Sequence, residues 1–125
     1  MTKLTKLLAG ASLMVLALAP APAQALGSAQ EVADNCRDLL RPDPPHSFDV
    51  GLCVGSFTTL YALSGVVDQH SAPILGFCRP PNTQYLDMVR VFVRHVESHP
   101  QAAQAFYAIE AVNAFIDAYP CKRKS

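Results

Sequence analysis

Two helical patterns meet at a proline in FCRPPNTQYLDMVRVFVRHVESHPQAAQAFYAIEAVNAFIDAYPC, residues 77–121. Apolar residues recur at spacings of three and four on both sides of this proline, and almost no linker separates the two runs. The pattern predicts one helix that ends at His99 and another that has Pro100 in its first turn and stops at Pro120. Two helices joined so closely are expected to form an antiparallel hairpin.

The hairpin predicts how the four cysteines pair. In an antiparallel hairpin the residue before the first helix and the residue after the second helix lie at the same end. Cys78 and Cys121 occupy these two positions, so we expect them to form a disulfide. Cys36 and Cys53 then pair with each other across a proline-rich loop.

The residues before this hairpin predict two more helices. Ser28 is a suitable N-cap for a helix over about 28–40. A second helix is expected from 48 to about 69, central and largely buried because its apolar residues extend almost all round it; a β-hairpin is the weaker alternative, given its Val and Thr content. Asn82 or Thr83 is expected to cap the third helix. The sequence therefore predicts an all-α, four-helix domain with two disulfides.

The fourth predicted helix carries two apolar stripes. The first, expected to face the core, consists of Phe106, Ile109, Val112 and Ile116. The second consists of Tyr107, Ala111, Ala114, Phe115 and Ala118. A surface helix normally shows one apolar stripe, so the second needs a cover of its own. Either the second helix or a second copy of the chain is expected to provide it, and we favour a homodimer.

The first 25 residues have the pattern of a cleavable signal peptide. Lys3 and Lys6 precede an apolar run of about a dozen residues, and the segment closes on Ala23-Gln24-Ala25. The run is too short to span a membrane comfortably. We therefore expect residues 1–25 to be removed and residues 26–125 to form a single domain in the periplasm or outside the cell, with no membrane contact after cleavage.

Composition and motifs argue against several functions. Removing the two lysines of the leader from ten Lys and Arg leaves eight against ten Asp and Glu, a net charge near −2, which does not indicate a nucleic-acid partner. His95 and His99 have the only metal-like spacing, and no third ligand is evident. No nucleophile motif and no phosphate-binding loop is present. The sequence predicts no catalytic residue, no metal site and no cofactor, and we do not expect an enzyme.

Four short motifs together resemble those of a known family. They are Cys53-x-Gly55, Phe77-Cys78-x-Pro80, His99-Pro100 and Tyr119-Pro120-Cys121. In these features the chain resembles the Rap/Tai family of type VI secretion immunity proteins, small helical periplasmic proteins similar to HdeA. The resemblance implies a protein that binds and inhibits a secreted peptidoglycan amidase effector by covering its active-site cleft, often as a dimer.

Loop position supplies candidates for the surface that meets this partner. The proline loop 42–47 and the loop 70–81 are both anchored by predicted disulfides, and binding residues are often found on loops of this kind. They would offer Asp43, His46, His70 and Arg79 to a cleft. Two other functions stay open, a periplasmic binding or structural module without a toxin partner and an acid-stress chaperone of HdeA type.

Overall fold

The computed structural model describes residues 27–122, and within this range the fold is built from four α-helices without a strand. These helices are α1 (Ala29–Leu39), α2 (Phe48–Leu63), α3 (Tyr85–Ser98) and α4 (Tyr107–Ala118), with a 3-10 turn at Pro100–Ala102. The predicted all-α, four-helix fold is thus confirmed. The signal peptide predicted at 1–25 lies outside the described range and stays a prediction.

Both predicted disulfides are present. Cys36 and Cys53 join α1 to α2 with their Cα atoms 5.4 Å apart, and both residues are buried. Cys78, in the loop before α3, is joined to Cys121, which follows α4; their Cα atoms are 4.8 Å apart, and both residues are exposed. The hairpin argument therefore predicted the pairing correctly.

A row of aromatic side chains forms the centre of the core. Phe57 of α2 lies against Phe92 of α3 with ring centroids 5.2 Å apart. Phe115 of α4 meets the edge of Phe57 at 6.2 Å, and Phe77 lies 5.3 Å from Phe115. All four side chains are fully buried, and burying each stabilises the fold by roughly 1.5–3 kcal/mol.

The first helix begins as predicted, and hydrogen bonds hold its first turn. The Ser28 hydroxyl accepts a hydrogen bond from the Glu31 N–H at 3.2 Å. The Ala29 N–H donates to the carbonyl of Ala105, and the Gln30 N–H donates to that of Ala103. Free N–H groups in the first turn of a helix need such partners, so the segment before α4 completes the start of α1.

The second helix is shorter than predicted and is not central. It ends at Leu63 instead of about 69, because the chain then folds round Asp68, whose carboxylate accepts hydrogen bonds from the N–H groups of His70 and Ala72 at 2.8 and 2.9 Å. Instead α1 and α3 each pack against all three other helices, whereas α2 packs mainly against these two. Two leucines of α2, Leu52 and Leu63, are exposed. None of the described helices is long and apolar enough to cross a membrane.

The third and fourth helices begin later than predicted. Gln84, not Asn82 or Thr83, caps α3, and its N–H donates to the Asp87 carboxylate at 2.9 Å. Pro100 begins only a short 3-10 turn, and α4 begins at Tyr107. The physical reason for the late start is that carbonyls within 103–105 accept hydrogen bonds from α1, so this segment cannot continue as a helix.

The two stripes of α4 have roles opposite to those predicted. Ala111, Ala114 and Phe115 of the second stripe are buried, whereas Ile109 of the first is 60% exposed. The small alanines let α4 approach its neighbours α1 and α3 closely. The prediction that the isoleucine stripe faces the core was wrong, because side-chain size at the helix contacts outweighed hydrophobicity.

Candidate functional site

The four residues predicted to bind a partner lie near opposite ends of α2. Asp43 and His46 are exposed in the loop before this helix, and His70 is exposed in the loop after it. The helix has 16 residues, and at 1.5 Å per residue it is about 24 Å long. The structure therefore does not bring these residues into one site, and their role in binding stays a prediction for two separate loops.

Arg79, the fourth predicted residue, makes several contacts within the fold. Its Nε donates to the Ser64 hydroxyl at 2.8 Å, and a terminal nitrogen donates to the Thr83 carbonyl at 3.2 Å. The guanidinium also lies 4.0 Å from the centre of the Tyr61 ring. Arg79 thus connects the end of α2 to the start of α3, and only part of it faces solvent.

The two histidines at the end of α3 form a cluster with Glu110. His95 Nε2 lies 3.1 Å from Glu110 Oε2, and the two side chains are only 11% and 16% exposed. The His99 ring stacks on His95 at 4.3 Å, and His99 Nδ1 lies 2.8 Å from the His95 carbonyl oxygen. The geometry links α3 to α4. Across residues 27–122 no group of three His, Cys, Asp or Glu side chains is placed to hold a metal ion.

The pKa values of Arg37 and Tyr119 are both raised by their surroundings. Arg37 Nε donates to Glu97 of α3 at 2.9 Å, and Arg37 also pairs with Asp34. The hydrogen bond with Glu97 is the main reason that the pKa of Arg37 is raised, although pairs this exposed contribute only about 0–1 kcal/mol to stability. Burial raises the pKa of the Tyr119 hydroxyl above its ordinary value.

An apolar surface on α4 faces solvent. We name it the α4 face, and it consists of Phe106, Ile109 and Ile116 together with Ile74 from the loop before α3. Gly76 of that loop lies beside Ile116, since a Cβ built on the glycine would be 3.8 Å from the isoleucine Cδ1. A cluster of large exposed apolar side chains is typical of an interaction surface.

A second surface with similar character lies on α2. Phe48 at its start is 79% exposed, and Leu52 follows one turn later. Beside them a groove of about 430 Å³ runs between α1 and α2, and Gly51 and Gly55 contribute to its wall. Sequence reasoning missed this groove. The available signal was that α2 is apolar or small all round, which leaves apolar side chains outside once one face is packed.

Comparison with known proteins identifies the family of the chain. The family model of Rap1a immunity proteins matches residues 28–121, almost the whole range that the structure describes. The chain belongs to the Rap1a immunity protein family. No curated protein and no solved structure matches it. The match supports the resemblance to Rap/Tai immunity proteins inferred from the cysteine and proline motifs.

Proposed function

We propose that this immunity protein acts in the periplasm, where it binds and inhibits a peptidoglycan amidase delivered by a type VI secretion system. The observation that carries the proposal is the family match over residues 28–121. The motifs around Cys53, Cys78 and Cys121 support the amidase as target through their resemblance to the Rap/Tai family. The two disulfides fit an oxidising compartment such as the periplasm, and the pattern of residues 1–25 fits export to it.

A rigid surface is what such an inhibitor needs. Both loops beside α2 are tied down, one by Cys36–Cys53 and the other by Cys78–Cys121 together with the contacts of Arg79. Binding then costs little ordering entropy, which favours tight complexes. This chain would therefore inhibit by occupying the surface round the amidase cleft and not by chemistry of its own.

The α4 face supports a homodimer as part of this proposal. In a two-fold dimer the same patch meets its own copy, and the apolar side chains of this face can pack against their own copies. Ile109 is the most exposed member of the face, so Ile109→Lys should separate the dimer without disturbing the core. Light scattering after gel filtration at tens of micromolar tests this, and a strictly monomeric wild type would contradict it.

The proposal predicts that a peptidoglycan amidase is encoded beside the gene for this chain, and the test in cells uses that amidase; the lack of such a neighbouring gene would count against the proposal. The amidase is directed to the periplasm of a host bacterium, with either the full chain or residues 26–125 lacking the leader. We expect lysis to be prevented by the full chain and not by the leaderless form, because only the full chain is exported. Equal protection by both forms would contradict the periplasmic site of action, and lysis with both would contradict immunity against this amidase.

A further inference from the structure

The groove between α1 and α2 is formed mainly by apolar atoms. Its lining includes Val32 of α1 and Leu52 and Leu60 of α2, with the buried Cys53 beneath them. At one end Tyr107 of α4 approaches Ser56, with 3.3 Å between their hydroxyl oxygens. The volume of about 430 Å³ is large enough for one or two side chains of a bound protein segment.

Two glycines of α2 leave part of one wall of this groove without side chains. Gly51 and Gly55 lie one turn apart on α2, and a Cβ built on either would meet no atom within 4 Å. Neither has the positive φ that would require glycine. Glycine inside a helix is less favourable than alanine, so the fold itself gains nothing from these two residues. What the absence of side chains provides is room for another chain to approach the backbone of α2.

The charges on the rim indicate what kind of chain fits. Glu31 and Asp49 line the groove, both are exposed, and among residues 27–122 neither is part of an ion pair. Within the same range no Lys, Arg or His lines the groove. If a second copy packed groove to groove, its carboxylates would face these carboxylates and repel them. A partner with a cationic side chain at this position would instead be attracted by both carboxylates.

We propose that this groove binds a segment of the effector that places an apolar side chain against Gly51 and Gly55 and a Lys or Arg beside Glu31 and Asp49. The identity of the partner rests on the function proposed above. The groove would provide a contact separate from the two loops beside α2, on the flank of the helix that joins them.

The test fills the groove with a side chain. Gly55→Leu introduces an isobutyl group where the backbone is now open, and Ala62→Leu is the matched control, because Ala62 is exposed on the same helix and does not line the groove. Circular dichroism and urea denaturation verify that both variants fold. In isothermal titration with the amidase encoded beside the gene, we expect Gly55→Leu to weaken binding about tenfold or more and Ala62→Leu to leave it within about twofold.

The charge of the rim is tested with Asp49→Asn, which keeps the shape of the side chain. We expect this variant to bind the amidase more weakly than the wild type at low salt and to lose less affinity when salt is raised, because one attractive pair is missing. If Gly55→Leu binds as tightly as the wild type, the groove is not a contact and the proposal fails, while the proposed immunity function stands.

If the wild type does not bind this amidase, the proposed function is refuted, and a separate experiment then tests the groove. The probe is then acetyl-Leu-Arg-amide, with acetyl-Leu-Glu-amide as control, titrated into ¹⁵N-labelled protein. Shifts of the Gly51 and Gly55 amide signals that are larger with the arginine peptide would support a site for a basic and apolar segment. Shifts that are absent, scattered, or equal for the two peptides would overturn it.

Discussion

Removing the Cys78–Cys121 disulfide should cost a large part of the stability of a domain this small. The bridge spans a sequence separation of 43 residues, and the loop-entropy relation gives about 4 kcal/mol for closing such a loop in the unfolded chain. Cys36–Cys53 spans 17, for which the relation gives about 3 kcal/mol. A domain of this size has a free energy of unfolding of about 5–15 kcal/mol.

Because the bridge lies at the surface, its effect on the unfolded chain can be measured without disturbing the core. Cys78 and Cys121 are exposed, so a Cys78→Ala/Cys121→Ala variant opens no cavity in the core. The native contacts beside the bridge remain, including the hydrogen bond from the Cys78 N–H to the Tyr119 carbonyl at 2.8 Å and the packing of Phe77 on Tyr119. The folded structure should therefore persist, and the loss should arise from the greater freedom of the unfolded chain.

Urea denaturation followed by circular dichroism measures this loss, with Cys36→Ala/Cys53→Ala as the comparison. We expect the Cys78→Ala/Cys121→Ala variant to lose about 3–4 kcal/mol, with the same helical content as the wild type before the transition. A loss below about 1 kcal/mol would refute the loop-entropy reasoning. It would mean that the unfolded chain is already restricted near the end of α4 when the bridge is absent.

Four further substitutions test the backbone conformation, the core and the titration of Tyr119. Gly55→Ala should raise the free energy of unfolding by about 0.5–1 kcal/mol in urea denaturation, whereas Gly76→Ala, at a φ of +76°, should lower it. Phe57→Ala should lower it by about 3–5 kcal/mol by opening a cavity among the central rings, and a smaller loss would mean that the core collapses round the gap. Because burial raises the pKa of Tyr119, the folded state holds its proton more tightly, so stability should fall as pH rises above about 10; Tyr119→Phe should reduce that fall in melts at pH 9–12.

Much of the fold could be predicted from local signals. The Ser28 cap predicted the start of α1, and the positions of the cysteines relative to the helical hairpin predicted both disulfides. These features depend on neighbours in the sequence or on the simple geometry of a hairpin. The start of α4 could not be predicted in this way, because it is fixed by hydrogen bonds between 103–105 and the distant first turn of α1.

The buried face of α4 was harder to predict for a related reason. This helix has apolar or small residues on more than one side, so periodicity alone does not say which side packs inward. In α4, close packing at Ala111 and Ala114 determines which side faces the core, and Ile109 and Ile116 are left exposed. The α1–α2 groove was missed for the same reason, since the residues that shape it belong to the outer side of α2.

Residues 42–47 and 70–81 form loops, as the sequence predicted, but the sequence did not indicate how far apart the two loops lie. Their residues flank α2 in the chain, and the length of that helix separates them. Arg79 looked like a free surface cation because its partners Tyr61 and Ser64 lie well before it in the sequence. Contacts of this kind follow from the tertiary packing of α2 and α3, which no local pattern indicates.

Inhibition of the amidase by the mature chain is the measurement on which the function depends. Purified residues 26–125, with both disulfides formed, are titrated into the amidase encoded beside the gene, and the release of cleaved peptides from peptidoglycan is followed by chromatography. We expect activity to fall in proportion to added protein and to vanish near equimolar amounts, because a rigid surface binds tightly. Full activity at a large excess of the folded protein would contradict the immunity function proposed for this chain.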